Sequence, residues 1–124
     1  MNELNFNTDE SQSLQQVQKE VHQWVKEVGV RYFAEMTNLG QLIEEVGEMA
    51  RLMTRTYGEQ SFKKGKEPEN VKEELAQEIA DVFFVLVCIA NQTGIDLTEA
   101  YQKNMNKKST RDKNRHWENE KLTG

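Results

Sequence analysis

Cysteine, proline, histidine and aromatic residues are all scarce in this chain. Its 124 residues include one cysteine, Cys88, one proline, Pro68, and two histidines, His22 and His116. A single cysteine cannot close an intrachain disulfide, so the chain suits a reducing compartment and is expected to be cytoplasmic. Cys88 lies inside an apolar run and reads as a small core hydrophobe. The chain also lacks a membrane-length apolar segment. The run 79–90 falls short of the roughly 20 residues a spanning helix needs. The N-terminal MNELNFNTDE is polar and slightly acidic, so a secretory signal is not expected there. Positive charge is in deficit: 16 basic against 21 acidic residues give a net charge of −5. That balance argues against broad nucleic-acid binding.

What the chain has instead is Gln, Glu, Lys and Leu, with charged residues at 30%. This composition fits an all-α protein. The length fits one domain, 1–124, with flexible ends expected at 1–9 and 118–124. Four helices are legible. The first is expected over 10–28, where Leu14, Val17, Val21, Trp24, Val25 and Val28 recur at helical spacing and Gly29 is a stop. The second is expected over 39–57, capped by Asn38 or Thr37, with Gly58 ending it in the left-handed conformation. The third is expected over 68–93, with Pro68 in its first turn and a stop near Gly94. The fourth is expected over 97–115, where Asp96 and Glu99 resemble a capping box. GEQSFKKGKEPEN reads as a loop between the second and third. The second half of helix three is apolar all round, so it must be buried all round. Three other helices are too few to cover it. A bundle of about four helices, completed by homo-oligomerisation, is therefore expected.

One polar residue interrupts the run from Ile79 to Ala90: Asp81. A lone carboxylate among apolar neighbours is costly unless it is paired. Glu78 stands one turn before it. On helix two, Glu45 and Glu48 form a second pair, with Glu44 alongside. Residues three or four apart share a helix face. If the two helices pack antiparallel, four carboxylates converge, and such a cluster needs a cation. An all-oxygen donor set favours Mg²⁺, with Mn²⁺ as an alternative, over Zn²⁺. Neither histidine has the Glu-x-x-His spacing of a di-iron bundle. Gly47, inside helix two, costs about 1 kcal/mol relative to Ala and suggests a close approach there.

The motif EEVGE at Glu44–Glu48, followed by EIAD at Glu78–Asp81, resembles the E-E-x-x-E … E-x-x-D signature of the MazG-like all-α nucleoside triphosphate pyrophosphohydrolases. LIEEVGEMARL, RTYGE, EIADVFFVLVCIAN and TRDKNRHW contribute to the likeness, which covers about Leu14 to Trp117. The resemblance implies Mg²⁺-dependent cleavage of a nucleoside triphosphate to the monophosphate and pyrophosphate, with a role in nucleotide-pool house-cleaning, by a homodimer or homotetramer. It places the metal ligands at Glu45, Glu48, Glu78 and Asp81. Glu48 or Glu44 is then the candidate that orients or deprotonates the attacking water.

Lys107, Arg111 and Arg115 lie on a cationic stripe of helix four and are candidates to grip the triphosphate, with Asp112 bracing an arginine. Tyr32 and Phe33 are candidates to stack on the base, while Trp24 reads as core. His22 reads as a surface or boundary residue. Lys63, Lys64 and Lys66 read as a solvated loop or a lid. Two alternatives stand beside this reading: a phosphoribosyl-ATP pyrophosphohydrolase-like enzyme, and a non-catalytic helical interaction module.

Overall fold

The computed structural model describes residues 10–124, so the expectation of a flexible segment at 1–9 lies outside the described residues. Five helices follow in order: α1 (Leu14–Glu27), α2 (Glu35–Thr56), α3 (Val71–Gln92), α4 (Leu97–Trp117) and the single turn α5 (Glu120–Thr123). No strand occurs among the described residues, and no single helix there is long and apolar enough to cross a membrane. The all-α expectation is met.

Several helix ends differ from the expected ones, each for a local reason. α1 begins at Leu14 because Ser13 and Gln16 form a reciprocal cap. The Gln16 amide donates to Ser13 Oγ (3.1 Å), and the Ser13 amide donates to Gln16 Oε1 (2.6 Å). After α1 the left-handed residue is Val30 (φ 73°), not Gly29. The Arg31 amide donates to Gly29 O (2.9 Å), closing a tight turn around Val30.

α2 starts four residues earlier than expected. Asn38 is no cap. It is buried inside the helix, and its Nδ2 donates to Gln92 Oε1 (2.7 Å) at the far end of α3. Gln92 Nε2 in turn donates to Phe33 O (2.8 Å). This link makes α2 and α3 antiparallel. Gly58 does not take the left-handed conformation expected of it. A Cβ there would meet Thr54 O at 2.6 Å, so close backbone approach explains the glycine.

α3 is capped by Asn70, whose Oδ1 accepts from the Glu73 amide (3.1 Å), and Pro68 lies outside it. Its other end behaves as expected: Gly94 is left-handed (φ 73°), and the Ile95 amide donates to Ala90 O (2.8 Å). α4 then leaves at a bend of 106°. Asp96 caps it through the Thr98 amide (2.9 Å), while Glu99 pairs with Lys103 (2.7 Å) rather than completing a capping box. Gln18 of α1 holds this corner. It donates to Asn91 Oδ1 (3.0 Å) and Ile95 O (2.8 Å), and accepts from the Leu97 amide (2.9 Å).

α3 is the central element, packed on α2 and α1. The core holds Val25, Leu52, Val85, Val87, Cys88 and Ala90. Burial pushes the Cys88 thiol up to about 11, in line with an inert core cysteine. The expectation that α3 is covered on all sides is not met within one chain. Ile79, Phe83 and Leu86 remain exposed, as do Met36, Leu39, Ile43, Val46 and Met53 along α2.

Candidate metal centre

Antiparallel packing of α2 on α3 brings two acid-bearing faces together. One carboxylate oxygen each from Glu45, Glu78 and Asp81 lies within 4.8 Å of the others. Glu45 and Glu78 are partly buried. Asp81 is exposed, so its apolar sequence neighbours do not surround it in the fold. Glu48 is also exposed and lies outside this closest set, but its charge acts on both Glu45 and Glu78. Glu44 acts on Glu45 but not on Glu78 and lies on the exposed side of α2.

The electrostatics are those of an uncompensated acid cluster. Burial raises the Glu45 carboxyl above its ordinary value, and the charges of Glu48, Asp81 and Glu44 raise it further. Burial raises Glu78 too, followed by the charges of Glu48, Asp81, Glu45 and Glu74. Glu45 Oε2 and Glu78 Oε2 are buried with no hydrogen-bond donor. Ion pairs among the described residues are confined to α4, so no lysine or arginine there neutralises these acids. Two orphaned carboxylate oxygens in an all-oxygen set match what a hard divalent cation requires.

Two cavities adjoin the cluster. The first, about 270 Å³, is walled by Glu45 and Asp81 at one end and by Trp24, Tyr32, Phe33 and Phe84 at the other. Trp24, expected in the core, instead forms a wall and meets Phe84 edge-on, with ring centroids 5.4 Å apart. The Tyr32 hydroxyl is hydrogen-bonded to His22 Nδ1 (2.8 Å) and accepts from Asn91 Nδ2 (3.1 Å). His22 is exposed, as expected, and helps orient that ring. Asn38, Gln41 and Arg31 also line this cavity. Sequence reasoning passed over Gln41 and Phe84. Helical spacing carried the signal, since Gln41 is four residues before Glu45 and Phe84 three after Asp81. The second cavity, about 390 Å³, is walled by Glu48 and Glu78 and contains Arg51 and Lys66.

The cationic stripe is not brought to this cluster within one chain. α4 makes its main contacts with α1 and α5. Arg111 is engaged by both oxygens of Asp112 at 3.0 Å, and Arg115 lies 3.7 Å from the same carboxylate. Asp112 thus braces both arginines and sits below its ordinary value, chiefly through the Arg111 hydrogen bond. Lys107 is exposed on the same helix. Gly47 meets nothing within 4 Å, so no close approach within the chain accounts for it.

An antiparallel helix pair that presents E-E-x-x-E opposite E-x-x-D is the arrangement expected of the all-α nucleotide pyrophosphohydrolases that the motif resembles, a class of hydrolases. The chain belongs to the MazG nucleotide pyrophosphohydrolase domain family, whose model matches residues 33–116. It is 39% identical over 103 residues to the uncharacterised protein YpjD of Bacillus subtilis (strain 168), covering 83% of this chain and 89% of that one. The crystal structure of Bacillus subtilis YpjD, a putative pyrophosphatase, superposes with a TM-score of 0.69 at 36% identity, over 84% of this chain and 100% of that one. The crystal structure of a Bacillus-conserved MazG protein, a nucleotide pyrophosphohydrolase, gives 0.68 at 34% identity, over 86% and 99%.

Proposed function

We propose that this protein hydrolyses a nucleoside or deoxynucleoside triphosphate at the α-phosphorus, giving the monophosphate and pyrophosphate, with Mg²⁺ as its resident metal and Mn²⁺ as a substitute. One observation carries the reading. Three carboxylates converge within 4.8 Å beside an aromatic-walled cavity, and two of them keep a buried oxygen without a donor. The likeness to the Bacillus-conserved MazG protein, itself a nucleotide pyrophosphohydrolase, supports it.

In this mechanism Glu45, Glu78 and Asp81 would hold the metal, which when bound would supply charge neutralisation at the phosphate oxygens and a more acidic water. Glu48, outside the closest set, assists in binding and orients that water, accepting its proton as it attacks. Glu44 is the alternative base. The bond from the α-phosphorus to its bridging oxygen breaks, and pyrophosphate leaves with the electron pair. Tyr32 and Phe33, with Trp24, enclose the base. The cavity around them is apolar on its aromatic side, which suits a flat ring.

A homodimer or homotetramer belongs to the same proposal. The uncovered stripes on α2 and α3 need a partner, and Gly40 and Gly47, both open, leave room for a helix from a second copy. Lys107, Arg111 and Arg115 would then contribute to phosphate binding only from another subunit. A cytoplasmic house-cleaning role fits the single, buried cysteine and the net negative charge.

The test is a panel of common and oxidised nucleotides with Mg²⁺ or Mn²⁺, with products identified, and phosphoribosyl-ATP included. The expected product is pyrophosphate plus a monophosphate. Glu48→Ala and Asp81→Ala should each remove activity, by about 100-fold or more for a group acting on the reacting water, while the helical circular dichroism stays native. No pyrophosphate from any member of the panel would refute the reading.

A further inference from the structure

We propose that Arg51 and Lys66 form the seat of the β- and γ-phosphates. This rests on the nucleotide reading above and extends it to residues that neither the acid motif nor the cationic stripe includes. The acid cluster stands between two unlike cavities. Glu45 and Asp81 wall the aromatic one; Glu48 and Glu78 wall the other, where Arg51 and Lys66 lie. A nucleoside triphosphate has the same polarity along its length, with a flat base at one end and the most highly charged phosphates at the other. With the base against Tyr32 and Phe33 and the metal between, the terminal phosphates fall in the second cavity.

Both cations are placed and free of ion pairs. Arg51 lies three residues after Glu48 and so shares its face of α2. Lys66 is set by a turn in which its amide donates to Lys63 O (2.9 Å) and Gly65 takes φ 81°. Lys63 and Lys64, on the same turn, do not line the cavity. Glu48, Glu74 and Glu78 share this cavity, yet neither Arg51 nor Lys66 forms an ion pair with any described residue. Arg111, by contrast, is already gripped by Asp112. A guanidinium offers two parallel donors to a phosphate and an ammonium offers a mobile point charge, so the pair suits a pyrophosphate group. Three acids against two cations leave the cavity net negative. Phosphate binding there therefore requires the metal.

The probe is inorganic pyrophosphate, titrated calorimetrically with and without Mn²⁺, alongside Mn²⁺ alone. Wild-type protein should bind pyrophosphate only with Mn²⁺ present. Arg51→Ala and Lys66→Ala should each weaken that binding by about tenfold or more, the loss of one charge-assisted contact. Arg51→Lys should recover part of it. Mn²⁺ binding alone should change by less than about twofold, a readout that a merely misfolded variant would not preserve. Unchanged pyrophosphate affinity in the double Ala variant, with native circular dichroism, overturns the proposal, as does a loss confined to Arg111→Ala. If wild-type protein binds no Mn²⁺, the functional reading itself fails and this one falls with it.

Discussion

Asp81 invites attention in the sequence because the nine residues after it are all apolar, yet in the fold it is exposed. Glu45 and Glu78 carry the electrostatic strain, because they are the ones desolvated beside other acids. The sign of the consequence is fixed. A carboxylate whose folded value is raised contributes stability that is present below its ordinary value of 4.5 and is lost as pH rises through the raised value. Metal-free protein should therefore lose thermal stability from these two groups as pH rises from the carboxylate range to neutrality. Glu78→Gln should flatten that dependence in EDTA-treated protein and abolish Mn²⁺ binding. Melting curves across pH with and without Mn²⁺ check both, and an unchanged pH slope in Glu78→Gln would contradict the assignment.

At the scale of elements, local chemistry explains most boundaries. Ser13 and Gln16 stop α1 from extending back to residue 10, and Asn70 starts α3 where Pro68 does not. The cap at Ser13 lies in the sequence as a local Ser-x-x-Gln pattern, which the expected start at residue 10 passed over. Asn38 was not, because a cap and a buried cross-link use the same amide, and only the position of Gln92 on another helix decides between them. The turn after α1 holds a β-branched residue at φ 73°. A left-handed non-glycine residue costs roughly 1–3 kcal/mol, while glycine loses about 0.5–1 kcal/mol more backbone entropy on folding. Val30→Gly should thus stabilise the protein by about 1 kcal/mol, read from denaturant melts. Destabilisation would mean that the exposed valine makes a contact this chain alone does not contain.

At the scale of the whole molecule, α2 and α3 leave apolar stripes uncovered, with Ile43 65% exposed and Phe83 41%. If a second copy covers them, sedimentation at micromolar concentration should give a dimer or tetramer, and Ile43→Asp should shift it to monomer. In a monomer the same substitution at an exposed site would cost less than about 0.5 kcal/mol and change no sedimentation value. A monomeric wild type would refute the oligomer.

The sequence by itself determined the helices, the two acid pairs and the all-oxygen character of the centre. Each depends on backbone spacing over three or four residues, which an α-helix sets regardless of its surroundings. Tertiary structure decided the rest. It drew Glu45, Glu78 and Asp81 together and left Glu48 outside the closest set. It turned α4 away at 106° so that its cations miss the site within one chain, and it set an aromatic cavity and one holding Arg51 and Lys66 on either side of the acids. Those outcomes depend on how one helix lies against another, and that is settled by packing and by the turns between them, not by the spacing along any single helix.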